Sequence, residues 1–234
     1  VAKGASDFAD IDRDKAFYVD KSLFIQRIIE NFSKALLITR PRRWGKTLNM
    51  SMLYHFLRIR QDDAPCPSFA GLKISQDSAM MAHQGQYPVI FISLKATDAK
   101  TDYKASLKSI ARIIEREFLK HDYLMQSSKL QTNPQYLIHL QNYMALSSIE
   151  DMSNLESTLQ TALIDLAFYF YKHYGKKSYI LVDEYDAPVN MIEEEGHLKQ
   201  MLNFLKGFLG TTFKDNPYLE KGVMTGILNI AKAG

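Results

Sequence analysis

The chain has 234 residues, of which 46% are hydrophobic, so it is long enough to form one or two domains with a buried core. Its 29 basic and 26 acidic residues leave a net charge of +3, which is too small to indicate a nucleic-acid partner by itself. The single cysteine, Cys66, excludes an internal disulfide framework and a thiolate zinc cluster, and it favours a reducing, cytoplasmic location. No apolar stretch approaches the ~18 residues of a membrane helix, and the N-terminus lacks a secretory pattern, so we expect no contact with a membrane.

The two ends of the chain suggest that it belongs to a longer protein. Its first residue is Val1 rather than Met, and its last, Gly234, follows an apolar, strand-like run. No internal repeat or low-complexity tract divides the chain. We therefore expect residues 1–234 to be a single domain that is truncated at its C-terminal end.

Short apolar runs alternate with helical patterns along the chain. Apolar residues at helical spacing predict a helix within 17–32, with Asp20 as its N-cap and Phe32 on its apolar stripe. The run 34–39 is too short for a helix and does not alternate, which predicts a strand buried on both faces of a parallel sheet. Further strands are predicted at 88–94, 178–182 and 222–225, and further helices at 48–57, 103–118, 136–143, 155–170 and 198–209. Strands separated by such helices need crossover connections, so we expect an α/β fold with a mostly parallel sheet.

A cationic loop joins the first strand to the next helix. Its sequence is Thr39-Arg40-Pro41-Arg42-Arg43-Trp44-Gly45-Lys46-Thr47. In the order strand, tight loop, Gly-Lys-Thr and helix, backbone N–H groups and the helix dipole can bind nucleotide phosphates, while Lys46 reaches the terminal phosphates and the Thr47 hydroxyl binds Mg²⁺. The alternative is that Gly-Lys-Thr begins a helix by chance, and the buried strand before it makes this less favoured.

Three residues of this loop depart from the common phosphate-loop pattern or extend it. Arg40 stands where the pattern has glycine, and arginine disfavours φ > 0. Pro41 has no backbone N–H, so the chain is expected to enter the loop by an unusual path. We expect Trp44 to pack under the loop and anchor its shape, with stacking on adenine as the alternative.

A pair of carboxylates, Asp183 and Glu184, follows the third strand. Because the carboxyl ends of parallel strands share one edge of the sheet, Asp183 should lie near the loop after Thr39 and bind Mg²⁺. Glu184 would orient the water that attacks the γ-phosphate. The alternative is a solvated turn before Pro188. We expect Asp186 to hold this turn through a hydrogen bond from its side chain to the backbone.

Five motifs run in order across nearly the whole chain: Phe17-Tyr18-Val19-Asp20-Lys21-Ser22, the loop 39–47, Tyr87-Pro88-Val89-Ile90, Val182-Asp183-Glu184-Tyr185-Asp186-Ala187-Pro188 and Thr225-Gly226. In these motifs the chain resembles the predicted AAA-ATPase-like family of prokaryotic proteins, which often carry a C-terminal nuclease-like domain of the PD-(D/E)xK kind. The resemblance implies that Arg40 in place of glycine is a family feature and that the Tyr-Val-Asp-Lys segment packs near the nucleotide.

The resemblance also implies a fold, a strand order and one further site residue. The expected fold is a three-layer αβα P-loop NTPase with strand order 5-1-4-3-2, in which the fifth strand and the nuclease-like domain are missing here. The first strand would then be an exposed edge. Thr225 stands at the strand tip where ATPases of this architecture carry a residue that senses the γ-phosphate. A strand-ending threonine without a ligand is an equal alternative.

Three hypotheses of function follow from these features. The first is Mg²⁺-dependent ATP hydrolysis, with Lys46 and Glu184 catalytic, Thr47 and Asp183 on the metal, and Thr225 at the γ-phosphate. In this hypothesis the loop residues Arg40, Pro41, Arg42, Arg43, Trp44 and Gly45 complete the nucleotide site. The second is a nucleotide-gated binding module with little or no hydrolysis, acting with a nuclease domain or a nucleic acid.

The third hypothesis treats Arg40, Arg42, Arg43 and Lys46 as a nucleic-acid patch. The arginines are used more simply on the nucleotide, on the nucleotide of a second copy in a homo-oligomer, or in holding the loop. No base-specific signature distinguishes ATP from GTP.

Overall fold

The computed structural model describes residues 6–14, 18–41, 43–61, 67–96, 102–190, 192, 194–214 and 216–227. Their α-helices are α1 (Phe8–Arg13), α2 (Leu23–Ile29), α3 (Lys46–Leu57), α4 (Ser78–Met81), α5 (Tyr103–Leu119), α6 (Ser128–Gln131), α7 (Pro134–Tyr143), α8 (Met152–Tyr174) and α9 (Glu195–Phe213). Their strands are β1 (Ala35–Thr39), β2 (Val89–Ser93), β3 (Ser178–Asp183) and β4 (Leu219–Gly226).

The four strands form one parallel sheet in the order β1-β4-β3-β2. This confirms the α/β fold and matches the 1-4-3-2 part of the order that the resemblance implied. In the described part of the chain β1 is one edge of the sheet and is partly exposed, whereas every residue of β3 is buried. Because all strands run the same way, their carboxyl ends lie together. Thr39, Asp183 and Gly226 are therefore all at this carboxyl edge of the sheet.

Apolar side chains cover both faces of the sheet. In β3, Ile180 and Val182 join a cluster with α5, α8 and α9, whereas Tyr179 and Leu181 join a second cluster with α2 and α3. This alternation follows from the period of two in a strand, and the continuous apolar run of β3 follows from its burial on both faces. The result is the expected three-layer αβα arrangement.

The longest described helix, α8, has 23 residues and a capping residue at each end. The Asp151 side chain accepts a hydrogen bond from the Asn154 N–H at the start, and Gly175, with φ 71°, ends the helix in the left-handed conformation. Neither α8 nor any other described helix combines the length and apolar character that crossing a bilayer requires.

The predicted helix within 17–32 is wrong in its extent. In the described residues of this segment, α2 covers only Leu23–Ile29, and Phe32 is fully exposed instead of lying on an apolar stripe. Asp20 is not the N-cap, since Ser22 precedes the helix. The Asp20 carboxylate instead accepts the N–H groups of Ser22 (2.8 Å) and Lys73 (2.7 Å), which ties the chain before α2 to a short 3₁₀ helix at Lys73–Gln76.

Candidate functional site

The loop between β1 and α3 closes around the ammonium group of Lys46. Lys46 Nζ donates hydrogen bonds to the backbone carbonyls of Arg40 (2.7 Å) and Pro41 (3.0 Å). Arg43 and Gly45 have left-handed backbone conformations, with φ of 66° and 75°. A turn of this kind that leads directly into the N-terminus of a helix is a backbone arrangement that binds phosphate groups.

The entry to the loop explains why arginine can replace glycine at position 40. The Arg40 N–H donates to the Gly226 carbonyl (3.2 Å) and so continues the pairing of β1 with β4 beyond Thr39. The backbone at Arg40 does not have a positive φ, and Arg43 is the residue of the described part of the loop, other than glycine, that does. Arginine at position 40 therefore needs no conformation that favours glycine.

The carboxylate of Asp183 joins the loop to the end of β3. Thr47 Oγ1 donates to Asp183 Oδ2 at 2.7 Å, across 136 residues of sequence. The Thr225 hydroxyl, at the end of β4, donates to the other oxygen, Asp183 Oδ1. Asp183 is completely buried, so these two hydroxyls supply the donors that its buried oxygens need. The structure thus brings together the loop after β1 and the acidic end of β3, as the parallel sheet predicts.

Glu184 follows Asp183 in a left-handed conformation, with φ 51°. A left-handed residue other than glycine costs roughly 1–2 kcal/mol. Its neighbouring backbone is held in place, because the N–H of Glu184 donates to Thr225 Oγ1 (3.3 Å) and the N–H of Tyr185 donates to the Thr225 carbonyl (3.0 Å). The Glu184 side chain is only partly buried, and its carboxylate has no hydrogen bond or ion pair within the described residues. It is therefore free to accept a hydrogen bond from a ligand or from water.

Thr225 lies against the acidic pair and is 1% exposed. Its hydroxyl has one proton, which it donates to Asp183, and it accepts the N–H of Glu184. In this arrangement the hydroxyl orients both acids and has no second proton for a phosphate. The geometry therefore favours a positioning role for Thr225.

The turn after Glu184 is fixed to the end of β4. Asp186 is 1% exposed and accepts the backbone N–H of Ile227 (2.9 Å) and the Asn190 side-chain amide (3.2 Å). The expected bond from Asp186 to the backbone is thus present, and its partner Ile227 directly follows β4. Gly226 allows this close approach, since a Cβ at that position would lie 2.6 Å from Tyr185 Cε1.

The remaining described residues of the loop include three exposed side chains. Trp44 is 60% exposed, so the expectation that it packs under the loop is wrong. Arg40 and Arg43 are exposed, and Arg42 lies outside the described residues.

Lys21 lies near the loop, although it was not among the predicted site residues. The segment before α2 does lie beside the loop, because a Cβ placed on Gly45 would be 3.6 Å from Lys21 Nζ. Tyr18 helps to hold this segment, since its hydroxyl donates to Met52 Sδ (3.3 Å) in α3 and accepts the N–H of Lys21 (3.2 Å). Burial raises the pKa of Tyr18, which keeps the hydroxyl protonated. The sequence signal for this contact was the family resemblance, which implied that the Tyr-Val-Asp-Lys segment packs near the nucleotide.

The donors around Asp183 fit Mg²⁺. The Thr47 hydroxyl and the Asp183 carboxylate are adjacent hard oxygen ligands. Within the described ranges no three His, Cys, Asp or Glu side chains are grouped to hold a metal ion. Mg²⁺ commonly takes only one or two protein ligands and completes its shell with phosphates and water, so this small donor set is sufficient.

An open parallel αβα sheet with a lysine-containing loop after its first strand is consistent with a P-loop NTPase-like fold. The family model described as "Predicted AAA-ATPase" matches residues 2–234, and the chain belongs to this family. Family membership supports nucleotide binding in general terms. No curated protein and no solved structure matches the chain significantly.

Proposed function

We propose that the protein binds ATP together with Mg²⁺ and hydrolyses it to ADP and phosphate. The observation that carries this proposal is the 2.7 Å hydrogen bond between Thr47 and Asp183, which connects the start of α3 to the acidic end of β3. These are the two elements that a phosphoryl-transfer site needs, one for the phosphates and one for the metal and the water.

The residues of the chain have distinct roles in this reaction. Lys46 would exchange the loop carbonyls for oxygens of the terminal phosphates, and the N–H groups at the start of α3 would bind the same phosphates. Thr47 and Asp183 would hold Mg²⁺, which when bound neutralises charge on the phosphates.

Glu184 would accept a hydrogen bond from the attacking water. The water oxygen bonds to the γ-phosphorus, the bond from that phosphorus to the bridging oxygen breaks, and the proton of the water passes to Glu184 or to the released phosphate. The unpaired and partly exposed carboxylate of Glu184 supports this role.

Replacing Glu184 by Gln tests hydrolysis separately from binding. We expect Glu184→Gln to keep ATP affinity within about threefold and to lower the rate of phosphate release by roughly 10²–10⁴, the contribution of a positioned base. Lys46→Ala should lose ATP affinity. A matched control is Lys34→Ala, because Lys34 is exposed and precedes the opposite end of β1.

The outcomes separate the two classes of function. Equal turnover in Glu184→Gln and the unmodified protein would remove Glu184 from the mechanism. Saturable ATP binding without phosphate release from the unmodified protein would instead establish a nucleotide-gated binding module. Equal affinities of Lys46→Ala and Lys34→Ala for ATP would refute the nucleotide site.

We also infer a cytoplasmic location from the single cysteine.

We assign the exposed Arg40 and Arg43 to nucleotide phosphates, either those of their own site or those of a second copy. A nucleic-acid role for these arginines would require DNA affinity that falls steeply with salt. A nuclease-like domain is a further partner that this proposal accommodates.

A further inference from the structure

Lys21 presents an ammonium group to the phosphate loop from a different part of the chain. A Cβ on Gly45, directly before Lys46, would lie 3.6 Å from Lys21 Nζ. The Lys21 side chain is exposed and its ammonium has no hydrogen bond or ion pair with the residues that the structure describes. The group therefore lies beside the loop without a protein partner that would explain its position.

The backbone that carries Lys21 is held on both sides. Its own N–H donates to the Tyr18 hydroxyl, which is bonded in turn to Met52 of α3. The next residue, Ser22, is completely buried, and its hydroxyl accepts the N–H of Ile74 at 3.0 Å. These contacts hold the Lys21 backbone close to α3, so the ammonium stays within reach of the loop.

The neighbouring acid does not neutralise Lys21. The two carboxylate oxygens of Asp20 accept the backbone N–H groups of Ser22 (2.8 Å) and Lys73 (2.7 Å). The segment thus uses its only carboxylate to hold the backbone and leaves its ammonium available.

The charges around the loop favour an anion with several negative groups. Lys21 adds a cation to a region that already holds Lys46, Arg40, Arg43 and the positive end of the α3 dipole. These positive charges repel one another, and a bound polyanion offsets the repulsion because each cation is attracted to it.

We propose that Lys21 binds the phosphate groups of the nucleotide as a second ammonium, beside the loop from which Lys46 extends. This inference rests on the proposed nucleotide site and adds a binding residue from outside the loop. The substrate class is a nucleoside triphosphate, because two ammonium groups and the start of a helix offer more positive charge than one phosphate needs.

Calorimetric titration of the purified chain with ATP and Mg²⁺ tests this proposal, with adenosine as the ligand that lacks phosphates. We expect Lys21→Met to weaken ATP binding at least tenfold and Lys21→Arg to restore most of the affinity. If adenosine binds, its affinity for the Lys21 variants should stay within twofold of its affinity for the unmodified protein. Lys34→Met is the matched control, because it removes an exposed lysine at the other end of β1. Thermal unfolding without nucleotide checks that each variant is folded, and Lys21→Gln serves as a second neutral variant.

The outcomes distinguish this inference from the proposed function. If Lys21→Met and Lys21→Gln bind ATP within twofold of the unmodified protein while Lys46→Ala does not bind, the role of Lys21 is refuted and the nucleotide site stands. If the neutral variants lose affinity for adenosine as much as for ATP, Lys21 has a structural role and the inference is also refuted. If the unmodified protein does not bind ATP, the proposed function fails, and the inference fails with it.

Discussion

Replacing Gly226 by Ala should damage the site through a single added methyl group. A Cβ at this position would lie 2.6 Å from Tyr185 Cε1 and 2.8 Å from Asp186 Oδ1. Neither neighbour can move away easily, because Tyr185 is 2% exposed and Asp186 is held by the N–H of Ile227. The methyl group therefore has to displace the turn that follows Glu184.

Overpacking of a buried position by one methyl group costs about 1–3 kcal/mol. For a chain of this length, each kcal/mol lowers the melting temperature by about 2–4 °C, so the expected decrease for Gly226→Ala is about 2–12 °C. Because the displaced turn carries Glu184 and is bonded to Thr225, we also expect nucleotide turnover to fall by at least tenfold at a temperature where the variant is folded.

Gly222→Ala is the matched control in the same strand. A Cβ there would overlap the ring of Phe213, which is only partly buried and can shift. Gly222 pairs with Ala35 at the start of β1, four residues away from the site edge. This variant should lose stability but keep the turnover of the unmodified protein.

Thermal unfolding and phosphate release together test this reasoning. An unchanged melting temperature of Gly226→Ala would refute the expected overpacking. Equal loss of turnover in the two glycine variants would refute the link to the site, because the effect would then reflect stability alone.

Two further substitutions probe buried carboxylates. Thr225→Val removes a donor to the buried Asp183 and should lower the free energy of unfolding, measured in urea, by about 1.5–3 kcal/mol. Thr225→Ser keeps a hydroxyl and should retain most of that stability. Equal stability of the two variants would contradict the role of the hydroxyl. Burial alone would raise the pKa of Glu117, but His121 and Lys120, whose Nζ lies 2.7 Å away, hold it below its ordinary value of 4.5. The ionised Glu117 therefore stabilises the fold above pH 4.5, and this contribution disappears as the pH falls through the lower pKa of the folded state. Glu117→Gln should accordingly cost about 1–3 kcal/mol at neutral pH and less in acid; a loss independent of pH would refute the assignment.

The positions of the strands were predictable from the sequence because runs buried on both faces are continuous, apolar and short. The predicted strand at 222–225 nevertheless begins too late, since β4 starts at Leu219. Lys221 interrupts the apolar pattern, yet it is buried, because its Nζ donates to three carbonyls at the end of α2, those of Ile28, Ile29 and Asn31. A capping contact of this kind depends on the tertiary fold. The order of the strands came from the family resemblance, since helical connections alone permit several orders.

The meeting of the two site motifs was predictable from the parallel sheet, but the bonds within the site were not. The prediction needed only that the strands ending at Thr39 and Asp183 belong to one parallel sheet, whose carboxyl ends share an edge. The bond from Thr225 to Asp183 depends on the register of β4 against β3, which an apolar pattern does not determine. The role assigned to Trp44 failed for a similar reason, because an aromatic residue in a loop has no periodic pattern that predicts its burial.

The backbone conformations support the same location for function. In the described part of the chain, Arg43 and Glu184 are the residues other than glycine with positive φ, and both lie at the carboxyl edge of the sheet. Each costs roughly 1–2 kcal/mol, which a chain selected for stability alone could recover by placing glycine there. Arg43 lies in the loop before Lys46 and Glu184 follows Asp183, so both strained residues place a charged side chain at the proposed site. This agrees with the tendency of backbone strain to occur at functional sites.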